Sequence, residues 1–386
     1  KGKWSIGLIG DRYPDEEKMS KWPIQSPYEN TKNIYTSLSQ NFDTKLYHLS
    51  ENVKIKFNEN DIFLGHPFFP YERNGKGVTE SAVHSKQRPH TLALISPLHC
   101  DTSIKTTHIN KDFLDHVDKL MPKTDILFAI MGQYWWDKWK DSQYSHWMPK
   151  MVRLDMAVNT DRYPKVKHKF NPPGKRKVLF IGKNDPMKGV NFLIKLAREM
   201  NSVDFAWIGS GAEIEGVKRI SGFRQLDSVF MNEISKEYDF FISPSKADPN
   251  PTTILESMAW GFPVICTPQS GYYETPYLFN IYSDDIPRSI ETLNKLQHLP
   301  ENDLISISQK AREVVEKEYN WGKFTATIIN NLNLWIKKNT NLEIKIDSLE
   351  KFEIGQSNPT YIIKSDNENY VLRSKPKGIL LKGAHR

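Results

Sequence analysis

The sequence predicts an α/β protein made of two consecutive doubly wound domains. Three observations carry that expectation. The chain has 386 residues, a length that corresponds to two or three domains at roughly 100–200 residues each. Short apolar runs alternate with segments long enough for helices, the pattern of a parallel sheet buried on both faces. The alternation breaks once, at the Pro/Gly/Lys-rich passage 171–177, and then starts again.

In order along the chain, an apolar run at 4–9 stops at Gly10, a polar Pro-rich stretch follows to Pro27, and helical spacing covers 29–38. Further strands are expected at 44–49, 61–65, 91–95 and 125–131. Beyond the 171–177 linker, strands are expected at 178–181, 205–208, 239–242 and 264–267, with helices at 190–200 and 253–260. Two more helices are expected at 302–319 and 321–338; in the second, Phe324, Ile328, Leu332 and Leu334 recur near helical spacing. A hairpin follows, with arms at 352–364 and 370–373 around Ser365-Asp-Asn-Glu-Asn369. The expected domains are 1–170, 171–320, a helix 321–340 packing back on the first domain, and an appendage 341–386.

Composition narrows the class. Hydrophobic residues make up 38% and charged residues 26%, which fits neither a disordered nor a fibrous chain. No run reaches the roughly 18 apolar residues of a spanning helix, and no secretory signal is visible. Cys100 and Cys266 are too few for a disulfide framework or a metal quartet. A cytoplasmic protein is expected. The net charge of +7 suits nucleotide phosphates or acidic lipid headgroups, but the lysines are scattered, which favours a solvated surface. No basic stripe or nucleic-acid motif accompanies them, so nucleic acid is not an expected partner.

Two segments carry chemistry. Val178-Leu-Phe-Ile-Gly-Lys-Asn-Asp-Pro-Met-Lys-Gly189 is a strand, a turn at Gly182 and a helix start, with Lys183 and Lys188 placed to neutralise phosphates. An ordinary surface loop of a lysine-rich protein reads equally well from this segment alone. Phe241-Ile-Ser-Pro-Ser-Lys-Ala-Asp-Pro-Asn-Pro-Thr-Thr-Ile-Leu-Glu256 sets Asp248 in a loop and Glu256 on the next helix. The two carboxylates can converge on one pocket, and the amides between them open the helix toward a ligand. An ionised carboxylate accepts two sugar hydroxyls. Singly, each acid reads as easily as a helix cap or an exposed helical residue.

With the Ile208-Gly-Ser-Gly-Ala-Glu213 turn and the Glu256-Ser-Met-Ala-Trp-Gly-Phe-Pro-Val264 passage, these motifs resemble the retaining nucleotide-sugar glycosyltransferases of family 4 (group 1). The resemblance covers about 175–285 and weakens toward 338. It implies the GT-B fold, two Rossmann-like domains facing a cleft. Lys183, standing where arginine is more usual, and Lys188 would grip the donor diphosphate. Glu256 would hold the ribose, and Asp248, usually a glutamate, the transferred sugar. Gly182, Gly209 and Gly211 would line the nucleotide cleft, and the backbone at Pro251, Thr252 and Thr253 would meet the phosphates. Leu94-Ile-Ser-Pro-Leu-His99 resembles the strand end that places a histidine beside the donor sugar, so His99 is preferred and His66 is its rival. The first loop departs from the family: Gly10 leads into a long polar insertion, and Ser26-Pro-Tyr28 lacks a glycine pair.

The implied reaction is retaining transfer to a carbohydrate or lipid-linked acceptor, with no metal and no cofactor, the lysines and helix-end amides stabilising the leaving diphosphate. Peripheral contact with the inner face of an anionic membrane is a further expectation. Met131-Gly-Gln-Tyr-Trp-Trp-Asp-Lys-Trp139 offers three tryptophans either for sugar stacking or for packing. The competing functions are another GT-B enzyme, such as an epimerase or phosphorylase, and a catalytically idle nucleotide- or sugar-binding protein. Residues from Phe352 to Gly378 resemble the opening hairpin of aminoglycoside-phosphotransferase-like kinases. The catalytic aspartate of such kinases would lie beyond Arg386, so kinase activity is not expected.

Overall fold

The computed structural model describes residues 5–10, 26–40, 42–48, 61–67, 91–104, 109–340, 348–351, 360–365 and 368–373. By internal contacts the chain forms two compact units. One comprises Lys1–Pro14, Asn30–Leu94 and Thr325–Arg386, the other Asp15–Glu29 and Ile95–Phe324.

In the first unit, β1 (Ser5–Gly10) pairs in parallel with β2 (Asp43–His48) and β3 (Ile62–Gly65), and β3 pairs in parallel with the start of β4 (Thr91–Pro97). The order β2-β1-β3-β4 is that of a doubly wound sheet, reversing direction between β1 and β3. Ile62–Gly65 and Thr91–Leu94 are buried at every residue, which explains why they read as unbroken apolar runs instead of alternating. Helix α1 (Ser26–Ser39) begins at the Ser26-Pro-Tyr28 segment, with proline in its first turn, where a missing N–H costs nothing. The polar insertion 11–25 lies outside the described residues. In the same unit β13 (Ser348–Lys351), β14 (Thr360–Ser365) and β15 (Glu368–Arg373) form an antiparallel sheet, with Ser365 opposite Glu368. The arms of the expected hairpin are therefore present at 360–365 and 368–373, while residues 352–359 of its first arm and 366–367 of its turn lie outside the described residues.

The second unit holds α2 (Lys111–Leu120), the parallel pair β5 (Ile126–Ile130) and β6 (Met151–Leu154), and between them α3 (Gln133–Lys140). A six-stranded sheet follows, built from β7 (Val178–Ile181), β8 (Phe205–Ile208), β9 (Lys218–Ser221), β10 (Phe240–Ser243), β11 (Val264–Cys266) and β12 (Leu278–Asn280). All its pairs are parallel and its order is β12-β11-β10-β7-β8-β9. Counted from β7 this is the dinucleotide-fold order 3-2-1-4-5-6. Helices α4 (Val190–Glu199), α5 (Ser228–Glu237), α6 (Thr252–Trp260), α7 (Ile286–His298) and α8 (Glu301–Glu318) complete it; of α9 (Trp321–Thr340), which follows, the residues from Thr325 belong to the first unit. Val190, Leu193, Leu196 and Ala197 of α4 bury one stripe among Phe180, Trp207 and Phe240 of the strands, each large apolar side chain contributing roughly 1.5–3 kcal/mol.

The 171–177 passage lies inside this unit and is firmly held. Buried Asp239 accepts hydrogen bonds from Lys167 Nζ (2.9 Å), Asn171 N (2.9 Å), Asn171 Nδ2 (2.8 Å) and Lys177 N (2.9 Å). Arg176, also buried, donates to the Leu296 and Leu299 carbonyls at the end of α7 and to Asn171 O, satisfying carbonyls that a helix C-terminus leaves open. A loop-forming composition thus marks irregular chain that is well tied down. Cys100 and Cys266 are free thiols. No helix is long and apolar enough to cross a membrane among the described residues.

Candidate active site

In an open parallel sheet, ligands bind beyond the carboxyl ends of the strands, where the strand order reverses. In the six-stranded sheet that point lies between β7 and β10, and the two segments singled out in the sequence follow those strands. They are clasped together. Gly189 has φ +73°, and a Cβ there would stand 1.7 Å from Pro244 O, so only glycine fits. Lys246 N donates to Met187 O at 2.8 Å. On the β8 side, Gly182 N donates to Ile208 O (3.0 Å) and Asn184 N to Ser210 O (2.8 Å). A Cβ on Gly209 would meet Gly182 O at 1.7 Å, and Gly211 has φ +120°. The three expected glycines therefore lie together at the carboxyl ends of β7 and β8.

The clasp brings Lys188 to Asp248, 60 residues away, in an ion pair with side-chain exposures of 26% and 12%. Asp248 is fixed by its backbone as well: its N–H donates to Gln269 O at 3.0 Å, and its carbonyl accepts Trp135 Nε1 at 3.3 Å. Pro251 opens α6 without any side-chain cap, leaving the first-turn amides at Thr252 and Thr253 for a ligand. Glu256 is half-buried one turn further along α6, and Lys183 is exposed at the mouth of the β7 loop.

His99 completes the group. Its imidazole is fully buried, 5.3 Å from the Trp135 ring, and neither ring nitrogen has a hydrogen-bond partner. Desolvation lowers its pKa to about 4 against the opposing pull of Asp101 and Asp248, so the ring is neutral at pH 7. His66 follows β3 and is half-buried in the first unit.

Several residues here escape a reading of the sequence alone. Helix α3 docks on the Asp248 loop through Gly132, whose N–H donates to Pro249 O at 2.8 Å and whose Cβ, if present, would stand 2.0 Å from Gly271 O. Asn250 Oδ1 accepts Met156 N at 2.6 Å while its buried Nδ2 has no partner. Gly132 and Gly271 are visible in the sequence as glycines after strands, but only the fold pairs them. Of the three tryptophans, Trp135 and Trp139 are buried in protein contacts: Trp135 Nε1 also donates to Gln269 O at 3.0 Å, and Trp139 packs on Trp147 and Tyr144. These two pack in the protein interior, while Trp136 is half-buried on the same helix. Among the described residues no three His, Cys, Asp or Glu side chains gather into a metal site.

Residues 175–285 match the family described as Glycosyl transferases group 1. No curated protein matches by sequence. Sucrose-phosphate synthase from Thermosynechococcus elongatus superposes with TM-score 0.65 at 11% identity, covering 87% of this chain and 100% of its own. WaaG, a glycosyltransferase involved in lipopolysaccharide biosynthesis, superposes with TM-score 0.54 at 12% identity, covering 84% and 99%. A point mutant of S. aureus TarM, in complex with Fondaparinux, alpha-GlcNAc-glycerol and UDP, superposes with TM-score 0.52 at 13% identity, covering 70% of this chain and 55% of its own. The chain has the GT-B fold, and its residues 175–285 match the Glycosyl transferases group 1 family.

Proposed function

We propose that this glycosyltransferase moves a sugar from a nucleotide-sugar donor to a carbohydrate or lipid-linked acceptor with retention of anomeric configuration. The observation that carries the reading is the convergence of Lys188, Asp248 and the uncapped start of α6 at the switch point between β7 and β10. A diphosphate placed there meets the backbone N–H groups of Thr252 and Thr253 and the charges of Lys183 and Lys188, which stabilise the leaving group without a metal. Lys188 is then shared between phosphate and Asp248, and Asp248 accepts a hydroxyl of the transferred sugar. Glu256 holds the ribose, Gly182, Gly209 and Gly211 let the nucleotide approach the backbone, and neutral His99 stands by the sugar. UDP, the nucleotide bound to TarM, is the first donor base to test. Work in the cytoplasm, with peripheral contact to an anionic membrane face, completes the reading; the net charge of +7 favours the anionic contact.

Calorimetry with UDP, GDP, ADP and their sugars, with and without Mg²⁺, tests this on wild type and Glu256→Ala. Metal-independent binding of one nucleotide is expected, weakened about tenfold or more in the variant, or about 1.4 kcal/mol. Absence of any nucleotide binding, or equal binding by the variant, would overturn the assignment.

A further inference from the structure

Strand β9 carries an arginine, Arg219, that the proposed reaction leaves without a role. Its guanidinium lies over the ring of Trp207, 4.4 Å from the centroid. From there it reaches the turn that follows β8. Nη2 donates to Gly209 O at 3.3 Å and to Gly211 O at 2.8 Å, while Nη1 pairs with Glu213 at 2.6 Å. Asn184 holds the same turn from the β7 side: its N–H donates to Ser210 O and its Nδ2 to Ala212 O, both at 2.8 Å. The carbonyls from Gly209 to Ala212 are thereby all engaged, by two residues.

The consequence is a polarity. In a planar trans peptide the carbonyl of one residue and the N–H of the next point in opposite directions. Fixing the carbonyls of Gly209–Ala212 therefore turns the N–H groups of Ser210, Gly211, Ala212 and Glu213 the other way, and these donate to no group among the described residues. Ser210 is half-buried and the other three are exposed. The turn meets a ligand as a row of donors, which suits the acceptor oxygens of a nucleotide. Trp207 links this turn to the neighbouring one. Its Nε1 donates to Gly182 O at 2.7 Å, next to Lys183. One buried indole thus fixes the β7 turn directly and, by supporting Arg219, the β8 turn as well. Lysine is no equivalent here, because an ammonium is a point charge whereas a guanidinium spreads its donors over a rigid fork.

We propose that Arg219 is a positioning residue for nucleotide binding, holding the Gly209–Glu213 turn with its amides directed to the ligand. The inference rests on the donor site proposed above, which Gly209 and Gly211 line. Calorimetry with UDP, GDP and ADP tests it on full-length wild type, Arg219→Met, Arg219→Lys and Glu213→Gln, with denaturation midpoints measured on the same samples. Methionine keeps a side chain against Trp207 without the donors, and lysine keeps the charge without the fork. Both should weaken the nucleotide that wild type binds by about tenfold. The midpoint should hardly move, since the Arg219–Glu213 pair is exposed by 31% and 68% and such pairs contribute little. Glu213→Gln should bind like wild type, because both carbonyl contacts remain. Wild-type affinity in Arg219→Lys would make the residue a charge and not a positioner, and wild-type affinity in Arg219→Met would leave it no role; either result overturns the inference. So does a loss of binding that merely follows a loss of folded protein. Should one Arg219 variant fail to fold, the other decides. If wild type binds none of the three nucleotides, the donor site falls and this inference with it, whereas wild-type binding retained by the Arg219 variants removes this inference alone.

Discussion

The two edges of the six-stranded sheet are built on opposite principles. At the amino edge, where Lys177 precedes β7 and Asp239 precedes β10, buried charge is fully answered: Asp239 has four donors, Lys167 bonds Asp239 and Ser235 O, and Arg176 directs its guanidinium to carbonyls. Around the carboxyl edge, buried polar atoms are left open, with no partner for His99 Nδ1 and Nε2, Asn250 Nδ2, Gln269 Oε1 and the Tyr272 hydroxyl. Native structures leave few buried polar atoms unpaired. Trp260 Nε1, at the end of α6 next to Lys167, is also unpartnered, so the contrast between the edges lies in buried charge, paired at the amino edge in Lys167–Asp239 and only partly buried at the carboxyl edge in Lys188–Asp248.

The largest stability effect should come from breaking the amino edge. Asp239→Ala strands Lys167, 1% exposed, without its carboxylate, and also removes the acceptor for Asn171 and the Lys177 amide. Losing one partner of a buried pair costs about 3–5 kcal/mol. Chemical denaturation should show a loss of that size. If the fraction of variant that stays folded still binds nucleotide with wild-type affinity, the amino edge is purely structural; weakened binding by that fraction would erase the contrast between the edges.

How much of this is legible in the sequence depends on range. Strands β7 and β8 are readable to the residue, because Val178–Ile181 and Phe205–Ile208 are unbroken apolar runs that end at glycine. Helices α2, α5 and α7 go unread although Asn110, Asp227 and Asp285 stand before them as side-chain caps. Their apolar stripes are short and broken by polar residues, so a reading built on apolar runs leaves these segments open between helix and loop. The site residues are legible as types in motifs. What stays hidden is long-range pairing: Lys188 with Asp248, Gly132 with Gly271, and Asn171 with Asp239 join segments that local spacing cannot relate. The passage 171–177 shows the same limit, since its composition marks irregular chain correctly but cannot reveal the Asp239 carboxylate that fastens it.

The next effect sharpens the carboxyl edge. His99 has a pKa of about 4 in the fold against an ordinary value of 6.5, so the unfolded chain binds the extra proton first as pH falls. Stability from this residue is complete above about pH 6.5 and drains away toward pH 4, amounting to about 3 kcal/mol at the acid limit. Subtracting the pH-stability curve of His99→Phe from that of wild type isolates this contribution. A difference that is flat between pH 4 and 6.5 would show that the buried imidazole is answered after all.

The smallest stability effect, and the one that separates the edges most cleanly, belongs to Lys188→Gln. The ion pair with Asp248 retains partial solvent access, and the Asp248 backbone is held by Gln269 O and Trp135 regardless of the lysine. Partly screened pairs contribute little, so denaturation should register a loss of only about 1 kcal/mol. Nucleotide affinity should fall much further, by about tenfold or more, because a charge-assisted phosphate contact disappears. Asp239→Ala and Lys188→Gln would then be mirror images: one removes a buried charge that supports the fold and spares the ligand, the other removes a charge that the fold scarcely needs and the ligand does. A Lys188→Gln variant as unstable as Asp239→Ala would place both lysine–aspartate pairs in the same structural role, and the reading of the carboxyl edge as a binding edge would then rest on its open polar atoms alone.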